Sequence, residues 1–161
     1  MTNNENAFNL ESIKNFFNIK AVKLASVLHN VWRKPRLLED GTYEPKIKNT
    51  SDGYWILFYG TDKVDIANTE HEDLPTDWQE SNKFAAIDAI GIIVATSLPP
   101  QYTGEINDEY IEMVSSYLHD AFISRRKGNV PDKQKVPYSE LSEELKELDR
   151  NIIREAIKIL S

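Results

Sequence analysis

VDIANTEHEDLPTDWQESNKFAAIDAIGIIVATS, residues Val64 to Ser97, is the stretch on which the fold turns. It opens as a polar, turn-rich lead-in, starts a helix at Pro75, and is almost wholly apolar from Phe84 to Val94. A surface helix keeps a polar face, so this end is expected to pack against other elements over most of its circumference, with the rest of the chain wrapped around it. Gly91 lies within the run. It costs helix stability, and its missing side chain would let a second helix cross close to the backbone. Thr76 and Gln79 have capping-box spacing for the start of the helix, and Trp78 is expected to anchor it.

On the N-terminal side, residues 1–8 read as a frayed start to a helical arm over 1–19, in which Leu10, Ile13, Phe16 and Phe17 have amphipathic spacing. A second helix is expected from Ala21, with Leu24, Ala25, Leu28, Val31 and Trp32 on one stripe and Pro35 ending it. Between Asp40 and Gly60, the alternation of Tyr43, Pro45 and Ile47 points to a small hairpin. The apolar run Tyr54 to Tyr59 reads equally as its other strand or as a short buried helix.

On the C-terminal side, Pro99 and Pro100 stiffen a connection, and Asn107 or Asp108 caps a helix striped by Tyr110, Ile111, Val114, Tyr117, Leu118, Ala121 and Phe122. A polar, basic linker follows. Ser139 or Ser142 then caps a terminal helix carrying Leu141, Leu145, Leu148, Ile152, Ile153, Ala156, Ile157 and Leu160 along one face. The fold class expected is mainly α: one compact domain over 1–161, of about five helices with a small β-hairpin.

With 161 residues the chain is long enough to bury a core without metal or disulfide support, and it has no cysteine. Disulfides, thiolate zinc sites and a cysteine nucleophile are therefore excluded. The net charge of −7 repels nucleic acids and anionic lipids, so neither nucleic acid nor membrane is expected as a partner. The N-terminus is polar and acidic where a signal peptide would be basic and then apolar, and no apolar run approaches about 18 residues. A soluble, cytoplasmic protein is the expectation.

An internal echo runs through the chain. LHNVW at Leu28–Trp32 is matched by LHDAF at Leu118–Phe122, and each is followed by a basic cluster. The segments beginning at Glu72 and Ser139 align at an offset of 67, placing Leu74 over Leu141, Trp78 over Leu145 and Ala89 over Ala156. The echo divides the chain into candidate halves at 21–97 and 105–161.

The segment VPYSELSEELKELDRNIIREAIKIL resembles the end of the ryanodine-receptor repeat (RyR) domain, in which a Val-Pro-Tyr lead-in precedes an acidic helix bearing Asp-Arg. LHNVWRKPRLLEDGTYEP is similar to the start of the same module, which tends to read His-Glu-x-Trp and then Gly-Trp-x-Tyr-Gly-Pro. Asn30, Thr42 and Glu44 stand where that pattern carries an acidic residue, a tryptophan and a glycine. The two stretches bracket most of residues 21–160. The resemblance implies a mostly helical, non-catalytic module that binds a small molecule, such as a nucleotide-derived signal, or another protein. It implies no cofactor.

Residues with chemistry to offer are weighed against structural roles. His29 and His119 flank apolar stripes and are expected at the core edge, with one ring nitrogen bonded to a carbonyl or carboxylate. No spacing brings histidines together as metal ligands. There is no GxSxG elbow and no glycine-rich phosphate loop, and no catalytic residue is assigned. Glu143, Glu144 and Glu147 suit the solvated start of a helix. Asp65 and Asn68 are turn formers, but with Trp55, Tyr59 and Trp78 near them in sequence they are also candidates for a small-molecule pocket. The basic clusters Arg33, Lys34, Arg36 and Arg125, Arg126, Lys127 suit helix C-termini. If they converged, their arginines with Trp32 and Phe122 would hold a phosphate beside a stacked base. The candidate ligand-binding residues are thus Trp32, Arg33, Arg36, Asp65, Asn68, Trp78, Phe122, Arg125 and Arg126. Three functions stay open: a binding module for a small phosphate-bearing or nucleotide-derived ligand, a protein-interaction adaptor or homodimer using the N-terminal helix, and an enzyme of a class no motif names.

Overall fold

The computed structural model describes residues 3–97, 106–127 and 129–161, with side chains from Leu10 onward. The connection holding Pro99 and Pro100 and the side chain of Phe8 lie outside the described residues. Four long helices share one core: α1 (Asn3–Arg33), α3 (Thr76–Ser97), α4 (Asp108–Arg126) and α5 (Glu143–Leu160). Between α1 and α3 lie strand β1 (Ile47–Asn49), the short helix α2 (Gly53–Tyr59) and strand β2 (Lys63–Asp65). The strands pair antiparallel, Lys48 opposite Val64. The architecture is the expected one, mainly helical with five α-helices and a small hairpin, but the membership of the five differs from the sequence reading.

The arm and second helix expected at the N-terminus are a single helix of 31 residues, already helical at Asn3. No proline or glycine separates Phe17 from Ala21, so nothing interrupts the backbone hydrogen bonding between the two stripes. The run Tyr54–Tyr59 is helix α2, and the partner of Ile47–Asn49 is Lys63–Asp65. Asp52 decides this locally: its carboxylate accepts from the N–H groups of Tyr54 and Trp55 at 2.9 and 3.3 Å, starting the helix. Gly60, at φ +69°, closes it in a left-handed conformation that a side chain would oppose. The helix is not buried, since Tyr54 and Leu57 are 87% and 85% exposed.

The core joins Ala21, Leu24, Ala25 and Leu28 of α1, Ala86, Ala89, Ile90 and Ile93 of α3, Tyr110, Val114 and Leu118 of α4, and Ile153 and Ala156 of α5. A smaller cluster of Val64, Ile66 and Leu74 gathers Trp32, Trp55 and Trp78 beneath the hairpin. Helix α3 packs on α1, α4 and α5, as its sequence requires, yet one face stays open, with Phe84 and Ile87 exposed. Gly91 is on that open face, and among the described residues a methyl group added there would touch nothing, so none of the described helices crosses it closely. The capping box is also absent. The Gln79 amide donates to the carbonyls of Glu72 and Leu74, and the Thr76 N–H donates to Asp52 instead. Asp52 thus ties the start of α3 to the start of α2. Asn107 and Ser142 are the caps of α4 and α5.

Because Gly91 carries only its helix-propensity penalty, Gly91→Ala is expected to raise stability by about 0.5–1 kcal/mol. Urea unfolding followed by circular dichroism checks this; a lower midpoint would mean that something does pack on the Gly91 backbone.

Candidate functional site

The two echoed pentapeptides occupy matching local geometry. His29 donates from Nε2 to the carbonyl of Thr69 and His119 from Nε2 to that of Val136, both at 2.8 Å. The acceptors are 67 residues apart, and each is followed by a single 3-10 turn, His71–Asp73 or Tyr138–Glu140, that leads through Leu74 or Leu141 into a long helix. The basic residue four positions after each aromatic folds back on it. The Arg36 guanidinium lies 5.1 Å from the Trp32 ring centre, and that of Arg126 lies 5.0 Å from Phe122. The histidines have the core-edge role expected of them. Burial pulls the pKa of His29 and of His71 below the ordinary imidazole value.

Where the C-terminal ends of α1 and α4 meet α3 and α5, a cleft of about 250 Å³ opens. Trp32 and Leu28 face it from α1, Phe122, Arg125 and Arg126 from α4, Ser81, Asn82 and Asp88 from α3, and Asp149 and Asn151 from α5. The Arg125 guanidinium donates to the Asp88 carboxylate, which locks one of the two arginines. Arg126 is partly buried, lies on the Phe122 ring and makes a long hydrogen bond, 3.4 Å, to the Ser81 hydroxyl; no carboxylate pairs with it among the described residues. Burial, with the Arg125 cation beside it, draws its pKa below the usual guanidinium value.

At another wall of the cleft, the Asp149 carboxylate stands 3.7 Å from Nδ1 of His119. A carbonyl oxygen can only accept, so Nε2 of His119 is the donor to Val136. Burial raises the Asp149 carboxyl to about 6, against the smaller opposing effect of the imidazole. Burial likewise raises Asp88, again opposed by its arginine.

The structure therefore brings together Trp32, Phe122, Arg125 and Arg126 of the nine candidates. The other five serve the scaffold. Arg33 is buried, donates to Glu70 at 2.5 Å and lies 4.7 Å from the Tyr43 ring centre. Arg36 covers Trp32 from outside the cleft and reaches Glu44 at 3.9 Å. Asp65 accepts from the N–H groups of Lys46 and Ala67, and Asn68 brackets the backbone of Tyr43 through both ends of its amide. Trp78 donates its indole N–H to Asn49, so it fixes α3 to the hairpin rather than facing a ligand. Only the second basic cluster enters the cleft, because the first is turned onto Glu70 and Glu44. Asp88, Asn82, Asp149 and Asn151 were missed as site residues. The offset of 67 superposes Asn82 on Asp149, and that was the available signal. Glu143 and Glu147 are solvent-side partners of Arg150, which also grips Glu112 on α4 at 2.7 Å.

Among the described residues, no group of three or more histidine, cysteine or acidic side chains is placed to hold a metal ion, and no helix is long and apolar enough to cross a membrane. Compared with protein-family models, with curated proteins and with solved structures, the chain matches none of them.

The Asp149 carboxyl gives a pH test. A folded-state value of about 6, above the unfolded carboxylate value of roughly 3.9, means that its ionisation costs stability progressively between those pH values. Asp149→Asn removes the ionisation. Its stability relative to the wild type is expected to be lowest near pH 4 and to rise toward pH 6.5 by on the order of 2 kcal/mol. Urea midpoints across that range decide it, and a flat difference would show that Asp149 is solvated.

Proposed function

We propose that the protein is a non-catalytic binding module that takes a small phosphate-bearing, nucleotide-derived ligand in the cleft between α1, α3, α4 and α5. The observation that carries this is Arg126: a partly buried guanidinium facing the cleft, with no carboxylate partner among the described residues. An uncompensated cation of this kind is stabilised by an anion, and its planar fork matches two oxygens of one phosphate. Asp88 keeps Arg125 in place beside it without adding a free negative charge to the site. Trp32 and Phe122 supply aromatic surface on the same cleft, where a base gains contact area at little entropic cost. A volume of about 250 Å³ is at the small end of ligand sites, which favours one nucleotide-sized group over a dinucleotide. The resemblance of Leu28–Pro45 and Val136–Leu160 to the two ends of RyR repeat modules accords with a binding role.

Calorimetry with adenosine monophosphate, cyclic adenosine monophosphate and inorganic phosphate, each at low and high salt, tests the reading. Nucleotide binding is expected at low salt and to weaken as salt rises, to be lost in Arg126→Gln, and to persist in Arg36→Gln. No heat with any of the three anions at low salt would overturn it. So would binding that Arg126→Gln leaves unchanged.

A second reading, homodimerisation through α1, is favoured by the exposure of Leu10, Ile13 and Phe16 on its N-terminal half. Sedimentation equilibrium distinguishes it: a dimer that Leu10→Ser with Ile13→Ser converts to monomer supports it, and a wild-type monomer at high concentration excludes it.

A further inference from the structure

Helix α2 has the sequence GYWILFY, without one charged side chain, yet it stands on the surface. Tyr54, Leu57 and Phe58, at i, i+3 and i+4, share one face and are 87%, 85% and 80% exposed. Isolated exposed apolar residues are ordinary, but three side by side on a short helix form a patch of the kind that marks an interaction site. The patch is also held rigid. Trp55 on the opposite face packs into the Val64, Ile66 and Leu74 cluster, and its ring lies 4.1 Å from that of Tyr59. Asp52 and Gly60 fix the two ends of the helix, and Asp52 joins the first end to α3. Two three-residue strands do not need a helix in their connection, since a tight turn suffices.

Beside this face runs a groove of about 610 Å³ between α2 and the segment Leu74–Pro75. Its charged lining groups are Asp52 and Asp73, and no lysine or arginine lines it. The Thr76 contact foremost, with the capping bonds from α2, holds the Asp52 carboxyl below the usual carboxylate range, so Asp52 is ionised throughout the neutral region. The occupant must therefore be apolar along one side and cationic along its edges.

We propose that α2 and this groove form a docking surface for a basic amphipathic segment of another protein, with apolar side chains on Tyr54, Leu57 and Phe58 and lysine or arginine facing Asp52 and Asp73. A second copy of this chain fits less well, because a two-fold contact through α2 would set these acidic groups near their own symmetry mates. An anionic membrane is repelled by the same carboxylates and by the net charge of −7.

The test uses the full-length protein and two labelled amphipathic peptides, one of leucine and lysine and one of leucine and glutamate, titrated by fluorescence anisotropy. The lysine peptide is expected to bind saturably at one site per chain, and more weakly as salt rises; the glutamate peptide is not expected to bind. Leu57→Ser with Phe58→Ser should weaken binding about ten-fold or more, and Asp73→Asn by a smaller factor. Both variants change exposed side chains, and an unchanged melting curve confirms that they fold. Equal binding of the two peptides would overturn the proposal, as would binding indifferent to the Leu57 and Phe58 changes. Self-association of the protein alone that the double variant abolishes would assign the surface to a second copy. Recruitment to phosphatidylcholine vesicles that the double variant abolishes would assign it to a lipid surface. Either result overturns the proposal.

Discussion

Close helix approach through alanine is the constraint on which the structure depends. Ala21 and Ala25 of α1, Ala86 and Ala89 of α3 and Ala156 of α5 are 0–1% exposed. Side chains of this size let helix backbones draw near, and larger residues such as Leu24, Tyr110 and Ile153 fill the spaces between them. With α1 and α5 packed on it through such residues and α4 also in contact, α3 becomes the common wall of the domain. Toward the C-terminal ends of α1 and α4, Trp32, which also packs on the Val64, Ile66 and Leu74 cluster, and Phe122 line the cleft.

The electrostatics of the cleft follow from which charges find partners. Arg33 and Arg125 are each neutralised by an acid on a different element, Glu70 and Asp88. Arg126 is not, and the Asp149 carboxyl is far enough inside for burial to outweigh the nearby imidazole. Among the described residues, an arginine with no carboxylate partner and a carboxyl with no hydrogen-bond donor thus border the same cleft, an arrangement that costs stability.

The histidine-to-carbonyl bonds of His29 and His119 give the two ends of the domain a shared local design, but the elements inserted after each pentapeptide differ. Between Trp32 and His71 the chain builds a hairpin and α2, whereas between the end of α4 and Tyr138 the described residues form a short linker with one 3-10 turn, Asp132–Gln134. The larger insertion carries the exposed aromatic face, while the compact second unit contributes both arginines of the cleft. The cleft and the exposed α2 face, on which the two proposals rest, are separate surfaces.

Periodicity along the chain was enough to establish the helices, because the apolar stripes of α1, α4 and α5 have no other satisfactory use in water. The helical character of α3, its packing against other elements and the core-edge place of His29 and His119 were legible for the same reason. The state of Tyr54–Tyr59 was not, since a six-residue apolar run has no period to distinguish strand from helix, and the deciding bond comes from Asp52 just outside it. Nor could the sequence show that the run is exposed, or that Gly91 faces open space: hydrophobicity records what a side chain prefers, not whether a neighbour reaches it. Trp32, Phe122, Arg125 and Arg126 were recognisable from the echo, yet no local pattern singled out Asp88 or Asp149. Local sequence sets which elements form, through hydrogen bonding and periodic burial; which charges remain unpaired, and which apolar faces remain uncovered, is decided only when distant elements meet, because both depend on distances that no local pattern contains.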